Sequence, residues 1–233
     1  MPYKLILYII ACALSVVQMG VYIHFKIKGK GFAYTLSKCT GSLIFILTAV
    51  MAAIIGLTDK GAGVIVDAYT WLIIGALILS AGGDFFLAQS AQHRLFIGAC
   101  LFALSHVTFI TAYIVLAGFH WQVIPIIAGL FLFEVLMAWI IKLNCRGVAV
   151  QMGVYIFTVT SMACFAFTLL FSQAVSITAA AMTAFGGALF LISDVLWLMY
   201  GLDKYSPKKL YKILNVVTYF PAQMLIAGAL LLR

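Results

Sequence analysis

The chain has 233 residues, 66% of them hydrophobic and only 9% charged, with a mean hydropathy of +1.19. A soluble domain is about half apolar and about a quarter charged, and disordered chains are poor in apolar residues, so both classes are excluded. The net charge of +8 would suggest a nucleic-acid partner for a soluble protein; here its meaning depends on where the charges lie.

A helix needs about 20 apolar residues to cross roughly 30 Å of hydrocarbon. Eight such runs are predicted, near residues 4–24, 37–57, 66–89, 94–117, 121–142, 147–171, 177–201 and 210–232. They make one all-α integral membrane domain spanning residues 1–233, a multi-pass bundle of eight transmembrane helices. Helix 1 carries Lys4 and runs past Gln18 without a small-residue cleavage site, so it reads as a retained helix. It ends at the Lys-Gly-Lys-Gly break at 28–31, and helix 2 follows Lys38 and stops at Asp59-Lys60-Gly61. Helix 3 carries Gly82-Gly83-Asp84 with Ala76 and Ser80 on the face of the aspartate; helix 4 follows Arg94 and carries His106. Helix 5 holds Glu134 and ends at Lys142. Helix 6, after the break from Asn144 to Gly147, holds Tyr155. Helix 7 presents Ser193-Asp194 with Ala184 and Gly187 on its face, and small residues at such positions let helices or a ligand approach. Helix 8 follows Ser206-Pro207 and carries Tyr211, Asn215, Tyr219 and Gln223, spaced i, i+4, i+8, i+12 on one face. Pro221 within it frees the carbonyl of Val217, so a kink is expected there. Alternating strands of about ten residues are absent, which excludes a transmembrane barrel.

The charges test this count. Eleven of the fourteen basic residues, Lys26, Lys28, Lys30, Lys38, Arg94, Lys142, Arg146, Lys204, Lys208, Lys209 and Lys212, fall in loops one, three, five and seven; Lys4, Lys60 and Arg233 fall on the other side. By the positive-inside rule the eleven are cytoplasmic and both termini are extracytoplasmic. The +8 is thereby explained by topology and attraction to an anionic lipid surface, and nucleic acid is not implied. A share of the basic cluster, Lys38, Arg94, Lys204 and Lys212, is assigned to a phosphate headgroup. The five cysteines form no CxxC pair, and no disulfide or zinc site is suggested.

Ionisable groups inside spans are costly and mark functional sites by default. Measured from the basic flank of each helix, Gln18, Asp84, His106, Glu134, Tyr155, Asp194, Tyr219 and Gln223 lie seven to twelve residues deep, or roughly 10–18 Å at 1.5 Å per residue. A shared level predicts one buried polar chamber open toward the cytoplasm. Two facing carboxylates in low dielectric cannot both ionise comfortably, so one of Asp84 and Asp194 is expected to hold a proton beside the ionised other, the pair that general acid/base hydrolysis needs. The blander alternative pairs each Asp with His106 or Tyr219 to lock helices together. Glu134, with no Gly or Ser beside it, suits a structural or peripheral place equally well. With no second intramembrane histidine, His106 is read as a carboxylate partner and no metal is expected.

At these residues the sequence resembles the YhhN/lysoplasmalogenase family of eight-helix membrane proteins. The matching pieces are Leu79-Ser80-Ala81-Gly82-Gly83-Asp84-Phe85-Phe86-Leu87, Phe96-Ile97-Gly98 running on to Leu104-Ser105-His106, and Val148 to Tyr155 followed by Met162. Gly187-Ala188-Leu189-Phe190-Leu191-Ile192-Ser193-Asp194 and Thr218-Tyr219-Phe220-Pro221-Ala222-Gln223 complete the set, so the likeness runs from about residue 34 onward. The family tends to Lys-Pro at the start of helix 2, where this chain has Lys38-Cys39. The resemblance implies cofactor-free hydrolysis of the vinyl-ether bond of lysoplasmalogens, giving a fatty aldehyde and glycerophospho-ethanolamine or -choline, in a cell membrane (the inner membrane of a bacterium). Asp84 and Asp194 are then the catalytic pair, and His106, Tyr155, Asn215, Tyr219 and Gln223 orient water and the glycerol oxygens. A proton-coupled transporter of a small amphiphile or lysolipid would also place acids at mid-membrane. An intramembrane aspartyl protease would want Gly-x-Gly-Asp and Tyr-Asp, where the chain has Ala81-Gly82-Gly83-Asp84 and Ser193-Asp194.

Overall fold

The computed structural model describes residues 2–29, 31–60, 67–89, 91–145, 147–202 and 208–233. Lys30, Arg146, Asp203, Lys204 and the Ser206-Pro207 break lie outside them. The chain is all-helical, with no strand among the described residues. Its elements are α1 (Pro2–Lys28), α2 (Phe32–Lys60), α3 (Ala68–Leu87), α4 (Gln92–Ala117), α5 (Val123–Ile140), α6 (Ala149–Thr168) with a 3-10 turn at Leu169–Phe171, α7 (Ile177–Leu202) and α8 (Lys208–Ala229).

Seven helices, α1 to α7, are long and apolar enough to cross a membrane by length and composition. Their outward faces carry large apolar side chains, such as Leu132 and Trp139 of α5, 67% and 76% exposed, as lipid-facing surfaces should. The eighth predicted span, α8, falls short of that hydropathy because of its lysines and polar stripe. Its position explains how it is tolerated: α8 packs against α1, α2, α3 and α7, and Val216, Tyr219, Phe220, Ala222, Gln223 and Met224 are buried. Hydropathy measures readiness to face lipid, and a helix enclosed by others need not have it.

Contacts run in a closed circuit, α1–α2–α3–α4–α6–α7–α8 and back to α1, while α5 packs on the outside of α6. Glycines set the tightest crossings. A Cβ on Gly83 would stand 3.1 Å from the carbonyl oxygen of Gly98, and one on Gly186 would stand 3.0 Å from that of Ala222, so α3 meets α4 and α7 meets α8 nearly backbone to backbone. Beside the first crossing, Ser80 and Ser105 join at 2.7 Å and Ser105 donates to the Ala76 carbonyl at 2.8 Å. Pro221 does not end α8, which runs through it to Ala229.

One predicted boundary is corrected. Helix 2 was expected from residue 37, with Lys38 counted among loop charges, but α2 starts at Phe32 and Lys38 sits about two turns inside it, buried. A charge marks a helix end only when nothing in the interior can neutralise it, and here something does.

Candidate functional site

The helices that enter at the basic end bring their polar residues to one place. Asp84, in the last turn of α3 and 1% exposed, is the most heavily solvated by protein groups. Its Oδ1 lies 2.8 Å from the Lys38 ammonium and has no other hydrogen-bond donor. Its Oδ2 accepts from the hydroxyls of Ser42 and Tyr219, both at 2.6 Å. Lys38 and Ser42 are one turn apart on α2, so a single helix face supplies the cation and one hydroxyl. The Tyr219 hydroxyl in turn accepts from Gln223 Nε2, one turn along α8, at 3.3 Å.

Asp194 on α7 has a much sparser setting. Its Oδ2 accepts from the Tyr155 hydroxyl at 2.7 Å, and His106 Nε2 lies 3.4 Å away without hydrogen-bond geometry. His106 is fully buried and, among the described residues, neither of its ring nitrogens has a hydrogen-bond partner, nor has Gln223 Oε1. Around the imidazole stand the rings of Phe102, Tyr155 and Phe190, with centroids 5.1–6.4 Å away. Buried polar atoms left open are where water or a substrate oxygen belongs; the Tyr113 hydroxyl is also open, but it does not line the cleft described below.

Both carboxyls line one small, open-mouthed cleft, together with Lys38, Phe102, Tyr155, Asn215 and Tyr219. Trp197 and Tyr22 also line it. Asn215 bridges three helices there: its amide donates to the Ser193 carbonyl at 3.0 Å, and its Oδ1 accepts from Lys26 of α1 at 2.6 Å.

Of the sequence candidates, Asp84, Asp194, Tyr155, Asn215 and Tyr219 line the cleft, and His106 and Gln223 stand behind it in contact with its residues. Both aspartates line the cleft as expected, and Asp84 in addition faces a lysine. Lys38 is therefore not a headgroup lysine at the surface; its charge is engaged inside the bundle. Arg94 is exposed in the first turn of α4 and does not line the cleft, Lys212 rests its ammonium 5.6 Å from the centre of the Tyr200 ring, and Lys204 lies outside the described residues. Glu134 stays out of the chamber: it takes the Thr160 hydroxyl at 2.8 and 3.0 Å, joining α5 to α6. The sequence reading missed Ser42 and Lys26. Ser42 was findable as the polar residue one turn after Lys38, whereas the Lys26–Asn215 contact spans 189 residues and leaves no local signal. Among the described residues no cluster of His, Cys, Asp and Glu could hold a metal ion.

A bundle of apolar helices closed around two buried carboxyls defines a polytopic membrane protein with an internal polar site. The YhhN family model matches residues 33–230, and the chain belongs to the YhhN family. The match begins in the first turn of α2, so α1 and its Lys26 lie outside it. No curated protein and no solved structure matches the chain.

Proposed function

We propose that the protein is a membrane hydrolase that cleaves the vinyl-ether bond of lysoplasmalogens, with Asp194 as proton donor and Asp84 as a fixed carboxylate. The observation that carries this reading is the unequal dressing of two carboxyls on one cleft. Asp84, with an ammonium and two hydroxyls on its oxygens, has what a buried carboxylate needs to stay ionised. Asp194 has one hydroxyl donor and, among the described residues, no lysine or arginine in contact. A buried carboxyl in that setting is best served by keeping its proton. The two environments separate the roles of acid and anion, as in glycoside hydrolysis.

In the reaction, Asp194 gives its proton to the alkenyl carbon one removed from the ether-bearing carbon, and the π pair forms the new C–H bond. The ether oxygen shares a lone pair to make an oxocarbenium ion, and the Asp84 carboxylate offsets its positive charge. Water adds to the oxocarbenium carbon and releases a proton to Asp194, which restores the acid. The resulting hemiacetal breaks its C–O bond to glycerol as the hydroxyl proton passes to the departing oxygen. One water enters; one aldehyde and one alcohol leave. His106 and Gln223, with their open nitrogen and oxygen atoms, orient the water, and Tyr155 holds Asp194 in place. The hydrocarbon tail lies between helices, where the cleft opens toward apolar side chains.

The test is purified protein in detergent with matched vinyl-ether, alkyl-ether and ester lysolipids, followed by mass spectrometry. The vinyl ether alone should release aldehyde, and in D2O that aldehyde should gain one deuterium next to its carbonyl. Asp194→Asn should abolish release and Asp84→Asn should lower it at least a hundredfold, with folded protein in both. Full turnover in either variant would remove this mechanism.

A further inference from the structure

Lys26 is a topology charge in the sequence, yet it stands at the rim of the cleft. Its ammonium is 2.6 Å from Asn215 Oδ1 and 5.5 Å from the centre of the Tyr22 ring, and both Asn215 and Tyr22 line the cleft. The side chain is half-buried, so its charge is not simply solvated.

The charges acting on Lys26 are Lys38, Asp84 and Lys212. The single carboxylate among them is already committed to Lys38 at 2.8 Å. Lys212 lies three residues, about one turn, before Asn215, with its ammonium over Tyr200, and no carboxylate among the described residues pairs with either Lys26 or Lys212. Among the described residues, the place beside the cleft where α1 meets α8 therefore carries surplus positive charge. An ammonium has three donor hydrogens, and Asn215 takes one of those on Lys26. The other two have no acceptor among the described residues. Half-buried cations without a counter-ion are costly unless an anion completes the site.

We infer that Lys26, with Lys212 as its companion, binds the phosphate of the ligand that enters this cleft. Asn215 fixes the Lys26 ammonium and at the same time holds Ser193, the neighbour of Asp194, so phosphate and reacting bond are positioned from one side chain. The ligand class is a single-chain amphiphile with a phosphate ester near its tail linkage. This identification of the ligand rests on the hydrolase reading; the anion site itself does not.

The experiment uses the full chain in detergent with two probes of equal chain length, 1-oleoyl-glycero-3-phosphocholine and 1-oleoyl-glycerol, and with inorganic phosphate alone. Binding is followed by thermal shift and by quenching of tryptophan fluorescence, since Trp197 lines the cleft. Wild type should prefer the phosphate-bearing amphiphile about tenfold or more, the scale of one hydrogen bond to a charged group. Lys26→Gln should erase that preference and leave 1-oleoyl-glycerol binding unchanged, while Lys26→Arg should keep it. Lys28→Gln, which removes an equal charge from the exposed end of the same helix, should keep it too. Equal preference in wild type and Lys26→Gln, or loss of preference in Lys28→Gln, overturns the site. Inorganic phosphate that binds wild type but not Lys26→Gln makes free phosphate an occupant; binding of the amphiphile alone restricts the site to a headgroup. In the parallel turnover assay, Lys26→Gln should raise KM about tenfold with kcat little changed. Wild type that binds as described but releases no aldehyde would sink the hydrolase reading and leave the anion site standing.

Discussion

Replacing Lys38 with Met tests the charge pair at the centre of the site. The residue is buried and of similar length, so the change removes a charge with little loss of volume. At 2.8 Å two unit charges attract by about 6 kcal/mol at an effective dielectric of ~20. Bringing both into the bundle costs several kcal/mol per ion, so the pair as a whole contributes little net stability. Removing one member leaves the other uncompensated, and such single losses cost roughly 3–5 kcal/mol. For a chain of this size that is a fall in melting temperature of about 6–20 °C. Asp84→Asn alone should cost a comparable amount, because it strands the ammonium. The double variant Lys38→Met/Asp84→Asn should be no less stable than either single variant. Thermal unfolding of the purified proteins in one detergent gives the cycle directly. Losses that simply add in the double variant would refute the pairing argument and, with it, the reason for holding Asp84 ionised. Activity should not return with stability, since the double variant still lacks the carboxylate.

Two further outcomes follow from contacts away from this pair. A Cβ at Gly83 would meet the Phe102 ring at 2.5 and 2.7 Å, whereas one at Gly75 on the same helix meets nothing within 4 Å. Gly83→Ala should therefore destabilise by about 1–3 kcal/mol and displace a cleft-lining ring, while Gly75→Ala should stabilise by about 0.5–1 kcal/mol; equal melting temperatures would contradict the close α3–α4 crossing. At the opposite end of the bundle Asp67 caps α3 through the Thr70 amide at 2.9 Å and pairs with Arg233. Burial pushes its carboxyl up, but the Thr70 amide and Arg233 outweigh that and hold it below the ordinary carboxylate range. Its folded value is depressed, so its contribution is full above the ordinary carboxylate range and is lost as pH falls through the folded value. Asp67→Asn should remove that part of the acid-side decline in melting temperature and leave the neutral side flat; an unchanged acid limb would show that the cap carries none of it.

How much of this was legible in the chain depended on what each signal measures. The eight helices followed from apolar length, and their bounds other than the start of α2 lie within about four residues of expectation. Depth also transferred well. Helices crossing one slab from one side share a ruler, so offsets from the basic flank brought Asp84, Asp194, Tyr155 and Tyr219 to one cleft, with His106 and Gln223 against it; Asn215 joins them through the helix 8 stripe, whereas Gln18 donates elsewhere, to the Ser37 carbonyl. Glu134 passed the same test of depth and still failed to join them, because depth says nothing about which way a helix faces, and α5 stands outside α6. Lys38 was misplaced for a related reason. A lysine in a hydropathy reading is an end marker, and the carboxylate that neutralises it is 46 residues away in the chain. The asymmetry of the two aspartates was likewise invisible, since it depends on which hydroxyls and ammonium three other helices deliver.

The enclosed position of α8 has a consequence for how the molecule is made. Taken singly, its lysines, asparagine and glutamine would leave it reluctant to partition into lipid, and it emerges from the ribosome after α1, α2, α3 and α7, the helices that shelter it. Its insertion then has to be cooperative, driven by a slot the earlier segments have already assembled. Because α8 brings Asn215, Tyr219 and Gln223, the site comes into being only at that docking step. Any lesion that spoils the slot should be read first as a failure of biogenesis, with degraded or half-inserted protein, before it is read as a failure of chemistry.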